Sequence, residues 1–555
     1  MVLKRSLFIL LVIFAACFAL YAPVLNTPFI HWDDYGHLVE NPFVHQLSFK
    51  SIVSIFQQTI NKTYIPLTIF SFALEHHFFG DNAFYYHLNN LFLHLAVTGL
   101  IFLWSRRLGL SIWAGGAGAL IFALHPMRVE SVAWVTERKD VLYAFFYLLS
   151  LLCYWQYYSK ESRAAYWFSV VFGFLSILAK PMALSLPLIL WLCDWYWKRK
   201  GDRWIILDKI PYFLAILPIA WITYVLHDPT PMAKSGLAVS VWSFSFYLQK
   251  FLWPYPVLAV YQVPLPIGWA NPEFLKAAVI FVLFWTSVVV FRKDRLWIFA
   301  CFYFLFSIFF LLRFNPEREL TLVANRFMYL PSLGFCLFLG YAFERGWLIM
   351  AHKGKLLKIV AAGAFTSIVL LLSLQTARQV YLWSWEEKLW QEVLRYHENP
   401  VAHASLGDYY MFEKKYPDAQ REYLKSIALA PKYFKARNNL GVTFSDQGQY
   451  AKAIEVYSQI IDLKLEFDAG VYNNRGFAYL RNGQSDLAKQ DFDKALFLNK
   501  DLVNAYVNRA RIFFEAQDYA ASLRDLESAL TIDPGNVPAQ KNRKLVLEAM
   551  GSSLN

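Results

Sequence analysis

The chain has 555 residues, of which 57% are hydrophobic and 18% aromatic, and this composition excludes an ordinary soluble protein. Its formal net charge is +12 at pH 7, and residues 1 to 399 hold most of the excess, with 33 Lys and Arg against 22 Asp and Glu. This basic, hydrophobic part favours lipid head groups or phosphates as partners over nucleic acid. The five cysteines lie within apolar runs and indicate neither a disulfide framework nor a zinc site.

Long apolar runs recur over the first two thirds of the chain. Because about 20 apolar residues cross a hydrocarbon core of about 30 Å, each run predicts a membrane-spanning helix. No convincing small-residue cleavage site follows the first run, so we expect an uncleaved helix rather than a signal peptide. The pattern predicts about eleven spans, at residues 6 to 24, 86 to 105, 111 to 127, 140 to 158, 164 to 179, 181 to 197, 208 to 226, 273 to 291, 296 to 312, 323 to 343 and 356 to 376.

Basic clusters fall at alternate junctions between these spans, which predicts a cytoplasmic amino terminus. The opposite face then receives the loops at residues 25 to 85, 128 to 139, 227 to 272 and 313 to 322, and everything after residue 376. We therefore predict an integral membrane protein whose carboxyl-terminal part lies on the outer face. A bacterial inner (plasma) membrane, with that part in the periplasm, is the first candidate, and the same topology would apply to an endoplasmic reticulum. The clusters are Arg106-Arg107, Lys160 to Arg163, Lys198-Arg199-Lys200, Arg292 to Arg295 and Lys353 to Lys358.

The first outer loop opens with a pair of carboxylates, Asp33 and Asp34, directly after the first span. Adjacent residues of an extended segment point in opposite directions. One aspartate is therefore expected to face a reaction centre, while the other orients the loop or a metal; the alternative is that one of them caps the next short helix. No metal site is assigned, although a divalent metal at the pair is left open.

Three polar residues, His87, Asn90 and His94, share one face of the second span. Such groups are costly in contact with lipid, so we expect them to face the interior of the helix bundle. A packing network is the favoured interpretation, because no carboxylate accompanies them at metal-ligand spacing.

A second charged cluster lies between the third and fourth spans, on the same predicted face as the aspartate pair. Its cations could hold a phosphate or pyrophosphate leaving group, and Glu130 or His125 could orient the acceptor or the donor sugar. The alternative is a solvated loop that neutralises itself. The candidates for donor binding are His125, Arg128, Arg138, Lys139, Lys180 and Arg326, with Arg313 and Arg318 as further phosphate contacts.

From Pro400 the sequence repeats every 34 or 35 residues. Small residues recur at two positions of each unit, and an aromatic or large apolar residue recurs at a third. This spacing is typical of tetratricopeptide repeats, in which paired antiparallel helices stack into an α-solenoid with a groove that binds extended chains. The three positions are occupied by Gly407, Gly441, Gly476 and Ala510, by Ala419, Ala453, Ala488 and Ser522, and by Tyr423, Tyr457, Phe492 and Leu526.

One position in the first helix of each repeat reads Ser405, Asn439, Asn474 and Asn508. The three asparagines could form a ladder that hydrogen-bonds the backbone of an acceptor peptide; the alternative is that asparagine is merely tolerated there. The sequence thus predicts an all-α protein, a polytopic bundle followed by a solenoid. Its predicted divisions are a membrane domain at 1 to 376, a linker helix at 377 to 399, four repeats at 400 to 534, and a capping helix and tail at 535 to 555.

Over its whole length the chain resembles the C-type (GT-C) membrane glycosyltransferases that carry tetratricopeptide repeats, including the transmembrane O-mannosyltransferases and their bacterial relatives. The resemblance rests on Trp32-Asp33-Asp34, Asn41-Pro42, His125-Pro126, Glu130-Ser131-Val132-Ala133, Arg138-Lys139-Asp140, Lys180-Pro181-Met182-Ala183, Asp194-Trp195 and the stretch from Arg326 to Ser332.

That resemblance implies a sugar donor carried on polyprenyl phosphate, an active site at the outer boundary of the membrane, and a catalytic acid in the first outer loop. Asp33 and Asp34 occupy the position of that acid, and Glu130 joins them as a catalytic candidate. One departure is Asn325, where relatives often have an acid before the arginine.

We therefore predict an inverting hexosyltransferase that moves mannose or another hexose to a protein or envelope glycan. One aspartate would deprotonate the acceptor hydroxyl as it attacks the anomeric carbon. The main alternative is a non-catalytic membrane scaffold whose repeats recruit envelope-assembly partners, and a third is a lipid or glycan transporter. The sequence has no glycine-rich phosphate loop, nucleophile elbow or His-Glu-x-x-His motif. Nucleotide hydrolysis and soluble-type serine or metalloprotease chemistry are therefore poorly supported.

Overall fold

The computed structural model describes residues 2–45, 47–60, 63–199, 203–226, 236–312, 321–464 and 469–552. It is 81% helical, with no β-strand in these ranges, and the predicted all-α class is confirmed. The chain divides into two compact units, Met1–Val393 and Leu394–Asn555.

The first unit begins with helices that alternate between long apolar segments and short loop helices. In chain order they are α1 (Val2–Tyr21), α2 (Pro42–His45), α3 (Phe49–Gln57), α4 (Pro66–Phe79), α5 (Ala83–Arg107), α6 (Ile112–Leu124), α7 (Val129–Ala133), α8 (Arg138–Lys160) and α9 (Arg163–Ala179).

The second half of the first unit continues with the same alternation. Its helices are α10 (Leu186–Trp197), α11 (Trp204–Leu207), α12 (Ile210–Leu226), α13 (Gly236–Leu252), α14 (Pro272–Val290), α15 (Arg295–Ile308), α16 (Leu333–Lys353), α17 (Lys355–Trp383) and α18 (Glu386–Tyr396).

Short polar residues begin many of these helices, because a side-chain oxygen can accept the unpaired N–H groups of a first turn. Asn82 caps α5 in this way, Ser111 caps α6, Ser162 caps α9 and Asp294 caps α15. These caps set where each apolar segment starts.

The chain is an integral membrane protein, but the predicted count of about eleven spans is not confirmed. Within the described ranges, six helical segments are long and apolar enough to cross a membrane: Leu3–Asn26, Ala83–Arg107, Ile205–Val225, Pro272–Val290, Leu333–Lys353 and Lys355–Trp383. Ile112–Leu124, Arg163–Ala179 and Arg295–Leu311 are apolar but shorter, and such lengths fall below the roughly 20 residues that a straight span needs.

The tenth predicted span, at residues 323 to 343, is wrong in its position. Helix α16 begins at Leu333, and the residues before it include a 3₁₀ turn at Asn325–Met328. Asn325 is buried, where its amide donates to the carbonyl oxygen of Leu258 (2.8 Å) and its own oxygen lies 2.9 Å from the hydroxyl of Tyr261. Because these bonds fix the segment in a polar loop, the hydrophobic pattern alone placed the helix too early.

Helices α6 and α16 approach until their backbones touch. A Cβ placed on Gly340 would lie 2.2 Å from the carbonyl oxygen of Ala114 and 2.6 Å from the backbone nitrogen of Gly118. A Cβ on Gly118 would in turn lie 2.9 Å from the carbonyl oxygen of Cys336. Close glycine contacts of this kind let membrane helices pack without an intervening layer of side chains.

A buried charge network joins α8, α10 and the start of α12. The ammonium group of Lys209 lies 2.5 Å from a carboxylate oxygen of Asp194 and 2.7 Å from one of Asp208. Arg199 lies 2.6 Å from the other oxygen of Asp208, and the hydroxyl of Tyr154 donates to Asp194 (3.0 Å). With two cations and two carboxylates, the network neutralises itself and braces these helices.

The second unit consists of helix pairs and a final helix, as the repeat period predicts. They are α19 (Pro400–Phe412) with α20 (Tyr416–Leu429), α21 (Phe434–Asp446) with α22 (Tyr450–Asp462), α23 (Ala469–Arg481) with α24 (Ser485–Leu498), α25 (Val503–Glu515) with α26 (Tyr519–Ile532), and α27 (Val537–Ser552).

In the first three pairs, a glycine of the first helix faces an aromatic ring of the second helix. A Cβ on Gly407 would lie 2.6 Å from the ring of Tyr423, and one on Gly441 would lie 2.5 Å from Tyr457. Gly476 has the same relationship to Phe492, at 2.8 Å. The predicted fit of small against aromatic residues within the repeats is confirmed.

Candidate functional site

The segment after α1 carries the two aspartates, and the structure gives them different surroundings. Asp34 is fully buried. One carboxylate oxygen accepts the backbone N–H of Thr136 (2.8 Å) and the hydroxyl of the same residue, and the other accepts the backbone N–H of Ile30 (3.0 Å). Burial raises the pKa of Asp34 to about 6, although these three hydrogen bonds oppose the rise.

Asp33 is partly exposed, and its carboxylate makes no hydrogen bond or ion pair with any residue in the described ranges. Its backbone oxygen is 3.1 Å from the Nδ1 atom of His37, which steadies the turn. Lys139 and His37 are the positive or titratable groups that interact with it electrostatically. Asp33 is thus the member of the pair with free lone pairs.

An aromatic layer surrounds this turn. The ring of Trp32 stacks on that of Trp134, with centroids 4.3 Å apart and planes 8° from parallel. Trp390 meets the edge of Trp32 at 5.1 Å, and Trp383 stacks on Trp134 at 5.7 Å. The indoles hold the residue before Asp33 against the loop that leads into α8.

Glu130 lies on α7 and pairs with Arg326 from the 3₁₀ turn before α16. The guanidinium donates to one carboxylate oxygen of Glu130, and the backbone N–H of Arg326 donates to the other at 3.3 Å. Burial raises the pKa of Glu130, while Arg326 opposes that rise. The structure therefore joins two residues that are 196 positions apart in the chain.

Glu137 sits among three cations at the start of α8. Its carboxylate lies 3.0 Å from Lys139, 3.2 Å from Arg326 and 3.4 Å from Lys180. Burial alone would raise the pKa of Glu137, but the three cations outweigh it and hold that pKa well below its usual range. Lys180 also pairs with Asp140 at 2.6 Å, and Asp140 accepts the hydroxyl of Ser131.

These acids and cations form one cluster in which the cations are more exposed than the acids. Its members are Glu130, Glu137, Asp140, Lys139, Lys180 and Arg326. The side chains of the three acids are at most 2% exposed, whereas the cations are 9 to 16% exposed. An anion that approaches the cluster therefore meets the ammonium and guanidinium groups first.

Arg138 points away from these groups and braces the bundle. It forms an ion pair with Glu75 of α4, donates to the side-chain oxygen of Asn90 (2.8 Å), and donates to the backbone oxygen of Tyr86 (2.9 Å). Glu75 is a partner that was not predicted from the sequence. A lone acid inside an apolar, aromatic helix is itself a signal, because such a charge requires a cationic partner.

Arg128 and His125 are also engaged within the protein. Arg128 is fully buried; it donates to the backbone oxygen of Met328 (2.6 Å) and to the hydroxyl of Ser332. His125 stacks on Phe251 at 5.1 Å, and its Nε2 atom is 3.0 Å from the backbone oxygen of the same phenylalanine. Neither side chain is available to a donor in this structure.

The three polar residues of the second predicted span are buried, as expected. His87 lies 3.0 Å from the hydroxyl of Thr27, and His94 lies 2.7 Å from the hydroxyl of Tyr329. Asn90 contacts Arg138. They form packing contacts on several elements rather than one convergent site. Two further predicted phosphate contacts, Arg313 and Arg318, lie outside the described residues.

In the second unit, the predicted asparagine positions belong to a continuous chain of side-chain hydrogen bonds. Each amide nitrogen donates to the next oxygen over 2.7 to 3.3 Å. The order is Asn508 to Asn473, Asn474, Asn438, Asn439 and finally the carboxylate of Asp408. We call this the asparagine ladder.

Half of that ladder was not predicted. Asn438, Asn473 and Asp408 link the expected positions, and the paired letters Asn438-Asn439 and Asn473-Asn474 are the signal that could have revealed them. The first expected position, Ser405, is buried and lies outside the ladder.

Models of the tetratricopeptide repeat match residues 422–455 and 474–537. The chain is 22% identical over 598 aligned residues to mouse protein O-mannosyl-transferase TMTC3, covering 93% of this chain and 63% of that protein. It is 25% identical to human protein O-mannosyl-transferase TMTC1 over 522 residues, which is 78% of this chain and 56% of the relative. A stretch of 106 residues is 45% identical to mouse TMTC2, covering 19% of this chain and 13% of that protein.

The chain is a relative of the protein O-mannosyl-transferases. The family resemblance seen in the sequence is thereby confirmed. The chain spans less than two thirds of the length of each of these O-mannosyl-transferases. Their names describe transfer of mannose to an oxygen atom of a protein.

Proposed function

We propose that this protein is a membrane glycosyltransferase that moves a sugar, with mannose the first candidate, from a polyprenyl-phosphate donor to a protein. The observation that carries the proposal is the carboxylate of Asp33, which has no hydrogen-bond or ion-pair partner among the described residues and interacts electrostatically with Lys139, one of the three cations of the cluster. A base next to a phosphate-binding surface is the arrangement that glycosyl transfer from a lipid phosphate requires. The similarity to protein O-mannosyl-transferases supports the same reaction.

Asp33 is the better base of the pair. A catalytic base needs a lone pair that can reach the proton of the acceptor. Asp34 has both carboxylate oxygens engaged by Thr136 and Ile30 and is fully buried, so we assign it a positioning role. Asp33 lies on the exposed side of the turn that Asp34 anchors.

The leaving phosphate would bind the exposed faces of Lys139, Lys180 and Arg326. Lys139 and Arg326 are the donor-binding candidates that remain partly exposed, Lys180 is nearly buried beside them, and Glu137 contacts all three. Glu130 holds Arg326, so its proposed role is to position that guanidinium. We assign His125, Arg128 and Arg138 to positioning the loops that carry the site.

The proposed step is a displacement with inversion. Asp33 accepts the proton of an acceptor hydroxyl, whose oxygen forms a bond to the anomeric carbon of the sugar. The bond from that carbon to the phosphate oxygen breaks, and the phosphate leaves with the electron pair. The neighbouring cations oppose the negative charge that develops on the departing phosphate.

A metal held jointly by the two aspartates is disfavoured, because Asp34 is fully buried and its carboxylate already accepts three hydrogen bonds, which leaves Asp33 as the accessible ligand of the pair. The reaction is therefore written without a metal at this pair.

The proposed acceptor is an extended polypeptide that binds the tetratricopeptide repeats, with Asn439, Asn474 and Asn508 offering amide groups. In the ladder, Asn474 and Asn508 each donate one N–H group to the next member, so the second N–H could serve a peptide carbonyl, whereas Asn439 also hydrogen-bonds with the side chain of Tyr423. We place the site and the repeats on the outer face of a bacterial inner membrane, which the predicted sidedness of the basic loops supports.

The decisive experiment compares Asp33→Asn with Asp34→Asn in proteoliposomes that contain a labelled polyprenyl-phosphate mannose and a Ser- and Thr-rich peptide. We expect Asp33→Asn to lower kcat by about 100-fold or more, the usual effect of a lost general base, with unchanged insertion and thermal midpoint. Lys250→Gln, on α13, is the control for loss of a charge elsewhere in the first unit.

Wild-type turnover by Asp33→Asn would overturn the assignment of the base. Absence of transfer by the wild-type protein, together with full cellular function of the isolated repeats, would favour the rival interpretation of a non-catalytic scaffold.

A further inference from the structure

Three potential metal ligands converge in the first loop, on elements that the proposed reaction does not use. They are His45 at the end of α2, His76 in the last turn of α4, and Asp81 just after that helix. One donor atom from each residue lies within 4.8 Å of the other two. We call these residues the His45 cluster.

The contacts within the His45 cluster are direct. The imidazole rings of His45 and His76 stack with their centroids 4.6 Å apart and their planes 28° from parallel. The Nε2 atom of His76 lies 3.5 Å from a carboxylate oxygen of Asp81. Two ligand atoms of one tetrahedral ion are about 3.4 Å apart when each bond is about 2.1 Å long, so this pair already has the spacing that zinc requires.

A sharp turn brings Asp81 back towards His76. Gly80 ends α4 with a φ of +58°, and its backbone N–H donates to the carbonyl oxygen of His76 (2.8 Å). Side chains other than glycine are rare at such a φ, so the reversal depends on this residue. The backbone of the turn thus fixes the distance between the two ligands.

The elements that carry the cluster are anchored in a rigid core. Val44, which precedes His45, is buried in the same apolar cluster as Ile69 and Phe72 of α4. The ligands themselves face outwards: the side chain of His76 is 21% exposed and that of Asp81 is 58% exposed. An ion could therefore reach them from solvent, while the scaffold beneath stays in place.

We propose that the His45 cluster binds a divalent transition metal, with Zn²⁺ as the best match. Two imidazoles and a carboxylate form the donor set that zinc takes in many proteins, with a fourth position left to water or an outside ligand. Oxygen-preferring ions such as Mg²⁺ and Ca²⁺ are disfavoured by the two nitrogen ligands. Bound zinc would clamp α2 to the end of α4.

The test uses the full chain in detergent, purified without a polyhistidine tag and stripped with EDTA. Zinc content and affinity are measured by elemental mass spectrometry and by calorimetric titration with ZnCl₂. We expect about one zinc per chain in the wild type, and an affinity that is at least about tenfold weaker in His45→Ala, His76→Ala and Asp81→Asn. Replacement of zinc by Co²⁺ should give the visible absorption of a four-coordinate ion.

The matched control is His77→Ala, which removes the neighbouring histidine of α4 that lies outside the cluster. It should retain wild-type affinity, and far-ultraviolet circular dichroism should show that every variant is folded. Unchanged binding in all three cluster variants, or an equal loss in His77→Ala, would overturn the proposal. Uptake only at millimolar zinc would identify an adventitious ion only.

Discussion

Thr136 donates both its backbone N–H and its hydroxyl to a single oxygen of Asp34, across 102 positions of the chain. These two hydrogen bonds tie the first loop to the turn before α8, next to the cluster of acids and cations. The carboxylate of the adjacent Asp33 has no hydrogen-bond or ion-pair partner in the part of the chain that the structure describes. Two neighbouring aspartates therefore have different surroundings: Asp34 is buried and holds the loop, and Asp33 is partly exposed.

Loss of the Asp34 carboxylate should destabilise the protein. In Asp34→Asn, an amide N–H₂ group would face the backbone N–H of Ile30, and one of the two donors would be left unpaired. Buried unpaired groups cost about 1 to 3 kcal/mol, so we expect a clear fall in the thermal midpoint of unfolding in detergent. Thr136→Val, which removes only the hydroxyl, should have a smaller effect, and Asp33→Asn should leave the midpoint unchanged.

Asp34 should also make stability depend on pH. Its pKa is raised from 3.8 to about 6 in the folded protein, because burial disfavours the charged form. The folded state then binds the proton more tightly than the unfolded state, and the stabilisation present below about pH 4 is lost as pH rises through about 6. Thermal midpoints measured from pH 4 to pH 7 should show a fall that is absent in Asp34→Asn. An equal fall in both proteins would assign it to other groups.

Arg326 and Glu130 should be strongly coupled. Arg326→Met leaves the carboxylate of Glu130 buried without its cation, and such a change costs about 3 to 5 kcal/mol. Arg326→Met combined with Glu130→Leu should recover a substantial part of that loss, because no charge is then left unpaired. A double-mutant cycle on thermal midpoints measures the coupling, and strictly additive effects would show that the two side chains act independently.

The first repeat contains a histidine held between two carboxylates. His403 lies 2.7 Å from Glu422 and 2.6 Å from Glu398. Burial lowers the pKa of His403, but the two carboxylates outweigh it and raise that pKa above 6.5. Burial likewise opposes the effect of His403, Lys425 and Arg421, which together lower the pKa of Glu422 to about 2.

The stability of α19 against α20 should therefore decline as pH rises past 6.5, since the histidine then loses its proton. Hydrogen exchange of α19, corrected for the intrinsic effect of pH, should report a loss of about 1 kcal/mol, the net scale of one ordinary hydrogen bond. His403→Gln should remove this dependence. If the pH dependence of hydrogen exchange is the same in His403→Gln, groups other than His403 cause it.

The glycine contact between α6 and α16 provides a matched pair of substitutions. Gly340→Ala places a methyl group 2.2 Å from the carbonyl oxygen of Ala114, and overpacking of this kind costs about 1 to 3 kcal/mol or more. Gly346 lies on the same helix, and a Cβ added there would have no neighbouring atom within 4 Å. Gly346→Ala should therefore stabilise the protein slightly, because alanine has the higher helix propensity. Opposite shifts of the thermal midpoint are expected, and a fall in both would implicate the helix rather than the contact.

The repeats were the most predictable part of the chain, because their period places a glycine and an aromatic ring in each of the first three units and smaller equivalents in the fourth. Gly407 and Tyr423 meet as that pattern requires. The membrane helices were also recognisable from apolar runs, although those runs do not reveal whether a helix is long enough to span. The start of α16 was misplaced because Asn325 makes long-range hydrogen bonds that hydropathy does not register.

The site was predictable as a region but not as a set of partners. The sequence places Glu130 and Lys139 in one loop. It does not show that Arg326 forms an ion pair with Glu130, or that Arg138 forms one with Glu75. Such pairings depend on the packing of distant helices. The difference between Asp33 and Asp34 has the same origin, since it rests on the donors of Thr136.

The hydrogen bonds of the asparagine ladder all run in one direction. From Asn508 to Asp408 every amide donates the same way, towards a terminal carboxylate. Aligned amides polarise one another, so the row has a partial positive end and a negative end. An extended peptide laid along it meets a surface that is not the same in its two directions. Under the proposed binding of an acceptor peptide, this asymmetry would favour one polarity of the bound chain over the other, independently of its side chains.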